Sequence, residues 1–238
     1  MSKAFDSVHI PTLTKALNRI QIPKSITNLL NFLLFNRTNQ VITDYGLTKS
    51  YTVNDGIDQG ETFSPLLWKI YYDPLISRIH NEHLGYQETI PRLPTTKSIH
   101  TSIMAYMDDS LWVAPSKTSL QEILTTANSF YKFARIKVNP SKSILATNSS
   151  SEEDNHITFN EENIVAINRS KPFKYLGAWF SLTSNPIYTQ KIIISEAYTC
   201  ITKLQKSHIT EKQAIYIINN VIMPRVSYRL NSSFLTHS

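Results

Sequence analysis

The sequence predicts an α+β fold with a mainly antiparallel sheet, and three observations point there. Strand-like and helix-like segments follow one another in mixed order rather than in strict alternation. Residues 40–45 and 48–53, both rich in β-branched side chains, flank Gly46 as the arms of a hairpin would. Apolar side chains recur at helical spacing elsewhere, most clearly at Leu67, Ile70, Tyr71, Pro74, Leu75 and Ile79.

Taken in order, residues 11–20 and 24–36 form two helices separated at Ile22-Pro23, because proline disfavours the helical conformation in the residue before it. The hairpin around Gly46 follows. Ser64 and Pro65 then open a long helix as N-cap and first-turn proline, and Pro74 is expected to bend it. Residues 86–100 are polar and irregular and read as a loop, whereas 102–113 read as a β segment with two acids in its middle. A helix starts at Ser119, with Ser119 and Glu122 spaced as a capping box. Its stripe is Leu120, Ile123, Leu124, Ala127, Phe130, Tyr131 and Ala134. Short strands are expected at 136–138 and 143–147, around Asn139-Pro140, and again at 157–159, 164–167 and 175–181. Between them the Ser/Asn/Glu-rich residues 148–155 read as a mobile surface loop. Two helices, 188–206 and 211–223, complete the chain, the second opened by Thr210 and Gln213 as a capping box.

The 238 residues include 41% hydrophobic and 11% aromatic side chains, enough to build a core and to exclude disorder over most of the length. With 24 basic against 18 acidic residues the formal charge is +6. That leans toward a polyanionic partner, since each phosphate neutralised by Lys or Arg releases a counterion. Cys200 is the only cysteine, which excludes an internal disulfide and a cysteine-based metal centre and fits a reducing compartment. No apolar run approaches the length that crosses a bilayer, and residues 1–10 lack a signal-peptide core. The expectation is an intracellular protein, nuclear or cytoplasmic, with no membrane partner.

Two segments carry chemistry. In Met104-Ala105-Tyr106-Met107-Asp108-Asp109-Ser110-Leu111-Trp112, adjacent carboxylates sit between apolar, strand-forming flanks. Burying such a pair uncompensated is expensive, and neighbouring carboxylates repel each other. A divalent cation answers both difficulties, hard oxygen ligands suiting Mg²⁺. A tight turn is the other reading, since aspartate is common in turns, and the two are compatible because a turn can present the acids. The second segment, Gly56-Ile57-Asp58-Gln59-Gly60-Glu61-Thr62-Phe63-Ser64-Pro65-Leu66-Leu67, is a glycine-bearing loop ahead of a helix. Glycines permit close approach of a ligand, and Gln59 offers hydrogen bonds; in isolation it also fits a plain connecting loop.

Together these segments resemble reverse transcriptases of the kind encoded by non-LTR retroelements. Tyr106-Met107-Asp108-Asp109 matches the Tyr-x-Asp-Asp hairpin of that family, and residues 56–67 are similar to its Gly-x-x-Gln-Gly-x-x-x-Ser-Pro-x-Leu segment. In the same order, Ser2-Lys3-Ala4-Phe5-Asp6-Ser7-Val8 resembles the tail of the first motif, Asp-x-x-Lys-Ala-Phe-Asp-x-Val, and Asn139-Pro140-Ser141-Lys142-Ser143 the fourth. Phe173-Lys174-Tyr175-Leu176-Gly177 is similar to the primer-grip strand, and Val221-Ile222-Met223-Pro224-Arg225 to the end of a thumb helix.

The resemblance implies a right-hand polymerase palm over residues 1–182, a small antiparallel sheet backed by the helices near 67–79 and 120–134. A helical thumb-like region over 183–238 would follow it, with the fingers missing. It implies Asp108 and Asp109 as ligands of Mg²⁺ or Mn²⁺, and Phe5 beside the nucleotide sugar. Gln59 and Gly60 would lie at nucleotide or template, Tyr175, Leu176 and Gly177 at the primer end, and Lys142 would be a general acid. RNA template, DNA primer and deoxynucleoside triphosphates are the implied partners. The family's first catalytic aspartate falls immediately ahead of Met1, so the two-metal site is expected to be incomplete, the chain N-terminally truncated, and the fragment inactive as a polymerase. Asp6, just past the aromatic, is expected to cap the following helix instead. The alternative is a non-catalytic module of the same descent that binds RNA or primer–template, and a third possibility is a remnant that scarcely folds.

Overall fold

The computed structural model describes residues 4–90, 97–183 and 187–231; Ser2 and Lys3 of the first motif lie outside them. The chain forms two compact units, Met1–Ser143 with Ile157–Ile164, and Ile144–His156 with Val165–Ser238.

In the first unit a short 3-10 turn, Phe5–Ser7, leads into α1 (Ile10–Arg19). Asp6 does not cap that helix. The orphan N–H of Ile10 is met by the carboxylate of Asp55, at 3.3 Å, across 45 residues of sequence. Helix α2 (Lys24–Leu34) follows the break, where Gln21 adopts φ 59° and Pro23 precedes the first helical residue. The hairpin around Gly46 is nested: β1 (Arg37–Asn39) pairs with β4 (Tyr51–Val53), enclosing β2 (Ile42–Thr43) paired with β3 (Gly46–Leu47). Helix α3 (Ser64–Glu82) buries Leu67, Trp68, Tyr71, Tyr72, Leu75 and Ile79 against α1 and α4 (Lys117–Phe133). Phe63 rather than Ser64 occupies its N-cap position, because the preceding turn already satisfies the Ser64 N–H on the Glu61 carbonyl at 3.2 Å. At α4 the cap is Ser116, whose hydroxyl accepts the Ser119 N–H at 3.2 Å; Ser119 is the receiver of the cap and not its source.

Residues read as a loop form a ladder, β5 (Tyr86–Ile90) with β6 (Lys97–Thr101). Gly85 lies so near its start that a Cβ there would fall 2.1 Å from the Thr101 carbonyl oxygen, which only glycine tolerates. The acid-bearing hairpin is β7 (Ile103–Tyr106) with β8 (Asp109–Trp112). The strand expected at 136–138 does not form, and a 3-10 turn, Pro140–Lys142, follows it. The hairpin β9 (His156–Phe159) and β10 (Glu162–Val165) turns through Asn160 and Glu161, both left-handed.

In the second unit, β11 (Phe173–Tyr175) pairs with β12 (Ala178–Phe180). Leu145 and Ala166 form an isolated parallel bridge where a strand over 143–147 was expected. Helix α5 (Ile187–Gln205) precedes α6 (Glu211–Ile217), and the Thr210–Gln213 capping box is present in both directions. The helix does not stop at 223. A π-helical turn, Ile218–Ile222, carries it into α7 (Met223–Asn231), and the Asn220 side-chain amide donates to the Tyr216 carbonyl at 2.9 Å. An Arg229–Glu196 ion pair ties α7 to α5.

The fold is thus α+β, with the expected single sheet replaced among the described residues by six two-stranded ladders. All five with a defined register are antiparallel. No helix among the described residues is long and apolar enough to cross a membrane.

Candidate functional site

The acid-bearing turn is tight. Tyr106 pairs with Asp109, so Met107 and Asp108 alone make the connection, and Met107 takes φ +54°. A left-handed conformation is disfavoured for a side chain like methionine and persists only where the surroundings enforce it. Here the enforcement is visible. The indole N–H of Trp68, from the second turn of α3, donates to the Met107 carbonyl at 2.8 Å. Trp68 is 1% exposed, and a buried indole N–H needs an acceptor.

Strand alternation then places the acids. Ser110 interacts with the hydroxyls of Tyr72 and Tyr131, so Asp109, one residue earlier, is turned to the opposite face. Asp108 and Asp109 are both exposed, and neither carboxylate has a hydrogen-bond or ion-pair partner among the described residues. Two unpaired carboxylates at a fixed turn suit a hard divalent cation. They supply only part of an octahedral shell, and among the described residues no three His, Cys, Asp or Glu side chains converge. The donor chemistry fits Mg²⁺ with water or phosphate oxygens completing it.

Beneath the turn runs a chain of rings. Phe5 meets Trp68 at 6.0 Å between centroids, Trp68 stacks on Tyr72 at 5.7 Å, Tyr72 on Tyr131 at 6.4 Å, and Tyr131 meets Phe159 edge-on at 6.3 Å. Each such contact adds about 0.5–1.5 kcal/mol beyond area burial. The Tyr72 and Tyr131 hydroxyls share a hydrogen bond of 2.7 Å in a buried setting. Burial pushes Tyr131 up to about 12. Burial, reinforced by the neighbouring Tyr131, also raises Tyr72 well above the usual phenol value.

The glycine loop is held from two sides. The Gly56 N–H donates to the Val8 carbonyl at 2.7 Å and the Ile57 N–H to the Phe5 carbonyl at 3.0 Å, so the loop is zipped onto the segment that carries Phe5. Gly56 has φ +89°, a conformation that favours glycine, and a Cβ there would crowd the Asp6 backbone at 3.1 Å. From the other side Arg37 pairs with Asp58 and donates to the Gly56 carbonyl at 2.8 Å. Gln59 and Gly60 are left exposed at the tip, and Gly60 has φ +100°.

Phe5 and the acid turn thus both meet Trp68 of α3, and the glycine loop is hydrogen-bonded to the segment that carries Phe5. Lys142 is exposed on its 3-10 turn. Tyr175, Leu176 and Gly177 belong to the second unit, at the β11–β12 turn. Two residues that organise the site escaped the sequence reading, Trp68 and Arg37. For Trp68 a signal existed: a tryptophan at a core position of a helix must place its N–H somewhere. For Arg37 none did, because its partners lie about twenty residues away in a loop.

The reverse transcriptase (RNA-dependent DNA polymerase) family profile matches residues 1–180. The chain is similar to a retrovirus-related Pol polyprotein from a type-1 retrotransposable element R2 of Popillia japonica, 25% identical over 240 residues covering 98% of the chain and 38% of that protein. A second such polyprotein of Popillia japonica is 21% identical over 98% of the chain and 32% of its own length. The polyprotein of the type-2 element R2DM of Drosophila melanogaster is 20% identical over 97% of the chain and 21% of its own length. The chain spans less than two-fifths of the length of these relatives.

Proposed function

The chain belongs to the reverse transcriptase (RNA-dependent DNA polymerase) family, and from that premise we propose that it is the polymerase core of an R2-like non-LTR retroelement. Its substrates would be an RNA template, a DNA primer and deoxynucleoside triphosphates. The observation that carries this reading is the convergence of Phe5 and the Asp108–Asp109 turn on Trp68, one helical turn past the Gln59–Gly60 loop.

In this reading residues 1–182 are the palm and 183–238 the thumb-like region. Asp108 and Asp109 hold Mg²⁺ or Mn²⁺, whose chemistry is to activate the primer hydroxyl and stabilise charge on pyrophosphate. Phe5, set against Trp68, limits the space beside the sugar. Gln59 and Gly60, exposed at the loop tip, meet nucleotide or template. Tyr175, Leu176 and Gly177 contact the primer end, and Lys142 donates a proton to the leaving group.

Two carboxylates cannot clamp two ions held about 4 Å apart, so the chain by itself binds nucleic acid without extending it. The second reading is a module of the same descent that binds RNA or primer–template without chemistry. Filter binding and primer extension on an annealed RNA template test both. The expected result is binding that falls at least about tenfold between 50 and 200 mM salt, with no incorporation. No binding at low salt would overturn the assignment. Template-dependent incorporation abolished by Asp108→Ala would overturn the inactivity and keep the acids in their role.

A further inference from the structure

Resting on the proposed metal role of the acid turn, we infer that Trp68 is a positioning residue for Asp108, acting through the Met107 carbonyl. The peptide between the two central residues of a two-residue turn is the one whose rotation re-aims the second side chain. In this hairpin that peptide joins Met107 to Asp108, and its carbonyl accepts the Trp68 indole N–H at 2.8 Å. The bond is mutual: the buried donor has no water to turn to, and the left-handed Met107 has no intrinsic preference for its φ of +54°. Trp68 in turn is fixed by stacking on Tyr72 and contact with Phe5. One indole therefore sets the aim of the first carboxylate and touches the ring beside the proposed sugar site, so that ion and nucleotide are held in common register.

Mn²⁺ binding to the purified full chain, read by the electron paramagnetic resonance of free Mn²⁺, tests this without any turnover. Trp68→Phe keeps an apolar aromatic ring and removes the donor together with the volume of the second ring. It is expected to weaken Mn²⁺ binding by about fivefold or more. Thr14→Val, which deletes the 2.8 Å hydrogen bond from the Thr14 hydroxyl to the Asn31 side chain between α1 and α2 of the same unit, should leave Mn²⁺ binding within twofold, separating aim from general stability. Unchanged affinity in Trp68→Phe alongside a clear loss in Asp108→Asn would overturn the role of Trp68 while sparing the metal reading. Unchanged affinity in Asp108→Asn would overturn the metal reading, and the inference with it. A second measurement needs no variant. In the wild-type chain, Mn²⁺ should broaden the Trp68 indole N–H resonance ahead of that of Trp112, which pairs with Ile103 at the far end of the hairpin. Broadening of Trp112 first would count against the inference.

Discussion

Two turns, one in each unit, solve the same problem with different security. The Met107–Asp108 turn and the Leu176–Gly177 turn each connect paired strands with two residues, and each starts with a bulky residue in the left-handed region, Met107 at φ +54° and Leu176 at φ +47°. In both, an aromatic donor holds the carbonyl of that first residue: Trp68 for Met107, and the hydroxyl of Tyr228 for Leu176. Trp68 is 1% exposed and embedded in a run of rings, whereas Tyr228 is 53% exposed. A third turn, Asn160–Glu161, is left-handed at both residues, a region that asparagine but not glutamate tolerates readily, and among the described residues an exposed Lys132–Glu161 ion pair is made to it. The turn that carries the two acids is fastened from the core, and the Leu176 turn from a half-exposed ring.

The largest effect should come from Trp68→Ala. Urea unfolding followed by far-UV circular dichroism should register a loss of about 3–5 kcal/mol in the first unit, as buried aromatic truncations do. A loss below 1 kcal/mol would mean that the ring run is not the foundation of the acid turn. Alkaline titration comes next. Tyr131 ionises near 10 in an unfolded chain and is pushed by burial up to about 12 in the fold, and Tyr72 is raised in the same direction. The unfolded state therefore gives up its proton first. Stability should be full below pH 10 and fall by roughly 2–3 kcal/mol as pH rises to 12. A stability flat across that window would break the argument. Tyr228→Phe should cost only about 1 kcal/mol, the net worth of one hydrogen bond open to water; a cost equal to that of Trp68→Ala would erase the contrast between the two bolts. Smallest of all, Lys132→Ala should move the unfolding free energy by less than about 0.5 kcal/mol, since both partners of that pair are solvated.

Much of this was legible before any coordinates. Periodicity located the helices, β-branched residues located the hairpin at Gly46, apolar flanks around two adjacent acids located the second, and the Thr210–Gln213 box was legible directly. What failed failed for physical reasons. Residues 86–90 and 97–101 carry too many polar side chains for a buried strand, yet a two-stranded ladder at the surface asks only for a paired backbone. Residues 136–138 have strand-like side chains and no strand to pair with. Ser64 and Ser119 were placed at cap positions by pattern, but the neighbouring backbone and Ser116 settle those ends. At the candidate site the acids and the glycine loop were legible as motifs. Their common anchor was not, because the Trp68–Met107 bond spans 39 residues and no local pattern encodes it.

The wide turn at Ile218–Ile222 has its own consequence. It spends about one residue more than an ordinary helical turn, which re-clocks everything after it by roughly 100° about the axis. The Asn220 carbonyl, which the ring of Pro224 would otherwise strike, lies inside the widened stretch, so a proline that should break a rod instead sits in a continuous one. Arg229, which pairs with Glu196, lies downstream of that added phase, so trimming a single residue from the bulge is expected to aim it elsewhere.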